Sequence, residues 1–205
     1  MAAASASFRG GWQALALAVN GIEPVERAVV SPAPSFLGGL RRGDPDVWRR
    51  LFEDESPAIY RYAYSRLGTR EDAEDVTNLV FAEAWNAIER YRDEGLPVRA
   101  WLFGIARRLA SRHRARFMAR NADLSIDALQ VEGSADAVSV DQVDLAQALA
   151  SLDAGHTEVL SLRFVHGLSL MEVAVILKTS VDGVKGRQKR GLEALRRQLG
   201  VPALT

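Results

Sequence analysis

The sequence contains no cysteine, and none of its apolar runs is long enough to cross a bilayer as a helix. The missing cysteine excludes disulfides, thiol catalysis and cysteine-ligated zinc, and it agrees with a reducing compartment. The apolar segment 12–19 is short and interrupted by Gln13, so a signal peptide is not expected. We therefore expect no membrane insertion and a cytoplasmic location. The length of 205 residues, with 48% hydrophobic and 25% charged residues, predicts one large or two small globular domains.

The 26 basic and 26 acidic residues balance, but they are sorted along the chain. Residues 1–98 carry 11 Lys/Arg and 15 Asp/Glu, whereas residues 99–120 carry seven arginines and no acid. Residues 121–162 contain eight acids and no Lys or Arg, and residues 163–205 contain eight bases and three acids. Two basic blocks separated by an acidic one indicate two anion-binding surfaces joined by a linker that repels anions. Solvated helix faces are the alternative interpretation.

Helical periodicity without a convincing period-two alternation predicts an all-α protein. The first 40 residues are rich in Ala, Gly, Ser and Pro, which favours a mobile extension with one short helix near 11–20. We expect ordered structure from Asp44, as an N-cap, with Pro45 at the first helical position. The predicted organisation is a flexible extension over 1–40, a helical domain over 41–120, an acidic linker over 121–140 and a second helical domain over 141–200.

Capping signals divide the first domain into helices. Ser56-Pro57 repeats the start signal of Asp44-Pro45, so a second helix is expected to begin there and to end at Gly68. Thr69 caps a third helix, and a fourth is predicted over 98–120. The third helix is predicted to bury Ala73, Val80, Ala84, Ile88 and Tyr91, and to expose Glu71, Asp72, Asp75, Asn78, Leu79, Ala82 and Asn86.

The segment 167–190 carries the strongest local signal in the second domain. Ser169 and Glu172 have the spacing of a capping box, and Ser180 is a second N-cap. A short helix, a tight turn and a longer basic helix describe a helix-turn-helix, whose second helix can lie in the major groove. The alternative is an ordinary helical hairpin with a basic solvent face. The longer helix carries Lys185, Arg187, Lys189 and Arg190.

Catalysis has little support in the sequence. The three histidines (His113, His156 and His166) show no metal-ligand spacing with carboxylates, and neither GxxxxGK[ST] nor GxSxG occurs. We therefore expect no catalytic residue, no metal and no cofactor.

Three blocks of the chain resemble the extracytoplasmic-function group of bacterial sigma-70-type sigma factors. REDAEDVTNLVFAEAW over 70–85 resembles region 2.2 of that family, and RAWLFGIARRLASRH over 99–113 resembles region 2.4. Residues 149–168 and the helix-turn-helix resemble region 4. The resemblance implies a non-enzymatic subunit that binds core RNA polymerase and directs promoter recognition and transcription initiation.

The resemblance also implies partners and site residues. The acidic stripe of region 2.2 would dock on the β′ clamp coiled coil, and region 4 on the β flap, with an anti-sigma factor as a further partner. Region 2.4 and the loop 92–97 would contact the −10 element, and region 4 the −35 duplex. The implied polymerase-binding residues are Asp72, Asp75, Asn78 and Leu79; the −10 residues are Arg99, Arg107, Arg108, Arg112 and Arg114; the −35 residues are Ser180, Lys185, Gly186, Arg187, Lys189 and Arg190.

Two other classes of function are open at this point. One is a stand-alone helix-turn-helix regulator in which 43–120 senses a signal or dimerises, and the other is a metal- or nucleotide-dependent enzyme. The longer basic helix also departs from the family pattern, with Gln188 in place of an apolar residue and glycine at 183, 186 and 191. Because an interior glycine costs about 0.8–1.0 kcal/mol relative to alanine, this helix is expected to be only partly ordered until DNA binds.

Overall fold

The structure is a computed structural model that describes residues 13–19, 34–92, 96–120, 147–149 and 151–200. Every regular element within these ranges is helical and none is a strand, so the all-α prediction is confirmed. The chain divides into two compact units. We call 34–92 with 96–120 the central unit, and 13–19 with 147–149 and 151–200 the terminal unit. The predicted linker over 121–140 lies outside the described residues.

The helices are numbered in chain order. Helix α1 covers 13–19 and belongs to the terminal unit. The central unit contains α2 (Pro34–Arg41), α3 (Pro45–Leu67), α4 (Arg70–Ala87) with a 3-10 turn at Ile88–Arg90, and α5 (Val98–Arg120). The terminal unit continues with a helical turn at 147–149, α6 (Ala154–Leu160) with a π-helical turn at Ser161–Val165, α7 (Leu170–Leu177) and α8 (Val181–Gln198).

Helix α3 is a single helix in which Pro57 is an interior residue. Its predicted start is confirmed, because the Asp44 carboxylate accepts hydrogen bonds from the Asp46 and Val47 amides at 3.0 and 3.4 Å. The prediction that a second helix begins at Ser56 is wrong. Proline removes one helical hydrogen bond, but buried residues continue on both sides of it, from Leu51 to Ile59. Packing of that continuous face outweighs the local breaker signal.

Helix α2 differs from the flexible extension that was expected over 1–40. The Trp48 indole donates a hydrogen bond of 2.9 Å to the carbonyl of Leu40, which is itself buried. A Cβ at Gly39 would come within 2.7 Å of Val47 Cγ2, so this glycine permits close packing of α2 on α3. The Gly38-Gly39 pair suggests a break in the sequence, whereas in the fold it is a contact surface.

Local signals in the rest of the central unit are confirmed. Gly68 ends α3 with a φ of 83°, a conformation that glycine adopts without strain, and Thr69 caps α4 by accepting from the Asp72 amide at 3.2 Å. Helix α5 has the predicted bounds of 98–120. Every member of the predicted apolar face is buried, namely Ala73, Val80, Ala84, Ile88 and Tyr91.

The terminal unit contains the predicted helix-turn-helix. The Glu172 carboxylate accepts from the Ser169 amide at 2.6 Å, and the Ser169 hydroxyl accepts from the Glu172 amide at 3.2 Å, which completes the capping box. The Ser180 hydroxyl accepts from the Gly183 amide at 3.0 Å and starts α8. Contrary to the expected partial order, α8 is continuous over Val181–Gln198. The core of this unit includes Leu160, Leu162, Leu168, Val173, Val184 and Leu195.

Candidate polymerase-binding and DNA-binding surfaces

Helix α4 presents a continuous exposed face, which we call the α4 face. Asp75, Asn78 and Leu79 lie on it, followed by Ala82 and Asn86 one and two turns later. Leu79 is 53% exposed, a large fraction for an apolar side chain beside a carboxylate. The α4 face therefore combines negative charge with an apolar anchor, which is suited to a basic helical partner.

Asp72 lies apart from the α4 face. Its carboxylate accepts a hydrogen bond of 2.7 Å from the Thr69 hydroxyl and lies 3.1 Å from His113 Nε2 on α5. Only 29% of the Asp72 side chain is exposed. The structure thus places Asp72 in a contact between α4 and α5, whereas the other three predicted polymerase-binding residues lie together on the exposed face.

Two aromatic side chains extend the α4 face toward α3, and the sequence reasoning did not single them out for binding. Trp85 is 49% exposed and contacts the buried ring of Trp48, with centroids 4.9 Å apart. Phe52 is 41% exposed and contacts Phe81, with centroids 4.7 Å apart. Trp85 follows Asn78 by seven residues, and this helical spacing could have placed Trp85 on the exposed face from the sequence alone. No sequence signal placed Phe52 there, because its position beside α4 depends on the uninterrupted course of α3.

The arginines of α5 divide into two groups. Arg108, Arg112 and Arg114 are exposed, and Arg107 is partly buried. Arg108 also forms an ion pair with Glu83 of α4. Ser111 and Ala115 lie between these cations, so a phosphate backbone can approach closely.

Arg99 belongs to the interior rather than to this basic surface. Its guanidinium lies 3.0 Å from the Glu55 carboxylate of α3 and 5.6 Å from the centre of the Phe103 ring. Burial lowers the pKa of the neighbouring Arg61 guanidinium, and the Arg99 charge lowers it further. Arg99 therefore joins α3 to α5. Of the loop 92–97, residues 93–95 lie outside the described residues.

A groove of about 270 Å³ runs between the end of α3 and the second half of α5. Arg66 and Arg114 supply two cations to its lining, so the groove favours anions. The remaining lining residues are Ala110, Ser111, Ala115 and Met118.

Helix α8 presents a basic outer surface over its first turns. Lys185, Lys189 and Arg190 are exposed, whereas Gly186 and Arg187 are partly buried. Val184 is fully buried on the opposite side and anchors these turns. Ser180 acts as the N-cap, so its hydroxyl already accepts one hydrogen bond from the helix. The exposed cations are thus held on a helix whose inner side is fixed.

Two unusual residues of α8 have structural explanations. Gln188, which replaces an apolar residue, accepts a hydrogen bond of 3.1 Å from Arg163 Nε in the π-helical turn. Gly191 lies against α6, where an added Cβ would be 3.0 Å from Leu160 Cδ1. Both residues fix α8 against α6, so they support the continuous helix that the glycine count alone did not predict.

The described residues give two negative findings. They contain no group of three or more His, Asp or Glu side chains that could hold a metal ion. No helix in the described ranges is long and apolar enough to cross a membrane.

Comparison with known proteins relates both units to one family. The family model "Sigma-70 region 2" matches residues 51–119, and "Sigma-70, region 4" matches residues 148–197. The chain is 32% identical to the ECF RNA polymerase sigma factor SigL of Mycobacterium tuberculosis over 174 residues, which are 80% of this chain and 97% of SigL. It is 34% identical to the ECF RNA polymerase sigma factor BldN of Streptomyces coelicolor over 164 residues, and it spans 62% of BldN.

A solved structure agrees with these matches. CnrH, in complex with the cytosolic domain of CnrY, superposes with a TM-score of 0.61 at 27% identity, covering 82% of this chain and 97% of CnrH. The two family matches occur in the order that the motifs predicted, one in each unit. The chain belongs to the extracytoplasmic-function RNA polymerase sigma factors, whose members are DNA-binding regulators of transcription.

Proposed function

We propose that this chain binds core RNA polymerase and directs it to promoters, with the central unit at the −10 element and the terminal unit at the −35 element. The observation that carries the proposal is the presence of a basic surface on each unit, together with an acidic and apolar α4 face. A stand-alone regulator is not favoured, because both sigma region models match in order over 51–119 and 148–197. The proposed role requires no catalytic group, and it places the chain with the polymerase in the cytoplasm.

The α4 face is the proposed docking surface for the β′ clamp coiled coil. Asp75 and Asn78 supply polar contacts, Leu79 is a central apolar contact, and Trp85 is a second anchor of the kind that is common in protein interfaces. Asp72 acts indirectly in this proposal, since it positions the start of α4 through Thr69 and His113.

The two basic surfaces have different proposed roles. The exposed arginines Arg108, Arg112 and Arg114 would bind phosphates near the −10 element, because their small neighbours permit close approach of the backbone. Lys185, Lys189 and Arg190 would reach base edges and phosphates of the −35 duplex from the first turns of α8. Arg99 would support the first surface by holding α5 on α3.

Two protein partners complete the proposal. The terminal unit would contact the β flap, and the exposed pair Met171 and Val175, four residues apart on α7, is the apolar surface available for it. An anti-sigma factor is the second partner, by analogy with CnrH, whose structure was solved with the cytosolic domain of CnrY.

The test is a pull-down with core RNA polymerase, followed by run-off transcription. We expect Asp75→Lys to weaken core binding, because it reverses the negative charge that the α4 face presents to a basic partner. Asp54→Lys is the matched control, since it makes the same substitution at an exposed position of α3, two residues from Phe52 and therefore on another side of that helix. Equal core affinity of the two variants, with both folded by circular dichroism, would refute the docking surface.

A further inference from the structure

Helix α1 packs on the terminal unit, although the whole central unit follows it in the chain. Leu15, Ala18 and Val19 are 0%, 4% and 2% exposed, and their spacing places them on one side of the helix. Leu17, on the other side, is 39% exposed. The three buried residues join a core cluster with Ala148, Leu149, Leu160, Phe164 and Leu195.

The contact has a polar component that fixes its position. Arg196 of α8 donates a hydrogen bond of 2.9 Å from Nη2 to the carbonyl of Ala18, and its Nε donates to the carbonyl of Val19. One guanidinium therefore ties α1 to the last turns of α8.

Helix α1 and α8 depend on each other. The apolar side chains of α1 are covered only within the cluster that the terminal unit supplies, so α1 needs its partner. In return α1 covers Leu195, and Leu192 and Leu199 pack against the same cluster. The exposed first turns of α8 contain two glycines, at 183 and 186, and bury only Val184 fully. Their direction thus depends on the hold on the second half of α8 as well as on the anchor at Val184.

We propose that α1 is a brace for α8, which keeps the first turns of that helix in the geometry needed to read the −35 element. This inference rests on the proposed role of the terminal unit at that element. It assigns a function in promoter discrimination to residues 13–19, which lie outside both matched regions of the family. The positioning residues are Leu15, Val19 and Arg196.

The test uses the full chain with core polymerase and two promoters that differ only at −35. Lys185→Ala, which removes a proposed reading side chain, is the reference for lost discrimination. We expect Leu15→Asp to reduce the preference for the matched promoter by about tenfold, which corresponds to 1.4 kcal/mol, with activity on the mismatched promoter retained. Leu17→Asp is the control with the same chemistry on the exposed side, and Leu15→Met is the conservative replacement. Both should keep the preference within about twofold.

A second variant avoids a charge in the core. Arg196→Lys keeps the positive charge but cannot donate to both carbonyls in the geometry of a guanidinium, so a smaller loss of discrimination is expected. Amide hydrogen exchange should show faster exchange in α8 for Leu15→Asp and Arg196→Lys, and unchanged exchange in α3 to α5.

Each contrary result has a distinct meaning. If Lys185→Ala lowers discrimination while Leu15→Asp behaves like Leu17→Asp, the brace is refuted and the proposed function stands. If Leu15→Asp raises transcription from the matched promoter, α1 is an inhibitory cover and the brace is also refuted. If Lys185→Ala and Leu15→Asp both leave the preference unchanged, the −35 role of the terminal unit fails together with the brace.

Discussion

The substitutions Gly186→Ala and Gly191→Ala add the same methyl group at two positions of α8 with different surroundings. At Gly186 the nearest atom to the new Cβ is Arg190 Nη1 at 3.4 Å, the end of a flexible side chain. At Gly191 the new Cβ would lie 3.0 Å from Leu160 Cδ1 and 3.3 Å from His156 Cβ, inside the contact between α6 and α8. The two substitutions should therefore change stability in opposite directions.

The magnitudes follow from two competing terms. Replacing an interior helical glycine by alanine stabilises the helix by about 0.8–1.0 kcal/mol. At Gly186 nothing rigid opposes that gain, so we expect nearly all of it. At Gly191 the methyl group must displace Leu160, which is fully buried, and overpacking of this kind costs about 1–3 kcal/mol. The net effect of Gly191→Ala is then a destabilisation of about 0–2 kcal/mol.

Thermal unfolding of the full chain tests this difference. Far-UV circular dichroism reports both units, whereas in a Trp12→Phe background the fluorescence of Trp48, Trp85 and Trp101 reports the central unit, so the comparison isolates the terminal unit. For a domain of 60–100 residues, 1 kcal/mol shifts the Tm by about 4–8 °C, which makes the expected rise for Gly186→Ala measurable. If Gly191→Ala raises the Tm as much as Gly186→Ala does, the argument from close packing of α6 and α8 is wrong.

Four further predictions concern the other surfaces and contacts. Arg99→Ala should destabilise the central unit by about 1–3 kcal/mol in urea unfolding, because it removes an ion pair with the mostly buried Glu55 carboxylate. Arg112→Ala should leave the free energy of unfolding unchanged. It should reduce by about one the slope of log affinity against log salt concentration for DNA binding by the holoenzyme. Equal stability losses for Arg99→Ala and Arg112→Ala would contradict the assignment of Arg99 to the helix contact and Arg112 to the DNA surface. Trp85→Ala should raise the Kd for core polymerase by roughly tenfold or more in a binding titration, as expected for an interface anchor. An unchanged affinity would show that Trp85 does not contact the polymerase. After cleavage at a protease site inserted within 121–140, the two pieces should elute together in size-exclusion chromatography, because α1 stays bound to the terminal unit. Leu15→Asp should let the two pieces separate. Separation of the pieces without that substitution would show that α1 binds the terminal unit too weakly to act as a brace.

Structural features that depend only on residues close together in the chain could be predicted from the sequence. The capping box of Ser169 and Glu172, the glycine stop at Gly68 and the apolar spacing of α4 each depend on neighbours at most a few residues away. The exposed stripe of Asp75, Asn78 and Leu79 followed from the same periodicity. These features were correct because local geometry alone determines them.

Features set by distant partners were not readable. Pro57 is typical of a helix start, but the packing of α3 against α4 and α5 keeps the helix continuous through it. Asp72 and Arg99 are part of charged motifs, yet each is engaged by a residue on another helix, His113 and Glu55 respectively. The packing of α1 on the terminal unit depends on Arg196, which is 177 residues from Val19. No local sequence pattern around residue 19 predicts this contact.

That separation of 177 residues also sets the order in which the protein can assemble during synthesis. Helix α1 is made first, and the turns of α8 that receive it are made last. At about 5–20 residues per second, the interval lasts about 9–35 s, in which α2 to α5 can already fold with one another. During this time Leu15 and Val19 lack the residues of α8 that help to cover them in the folded unit. We therefore expect a nascent chain stalled before α8 to contain a folded central unit and an α1 segment open to chaperones and proteases.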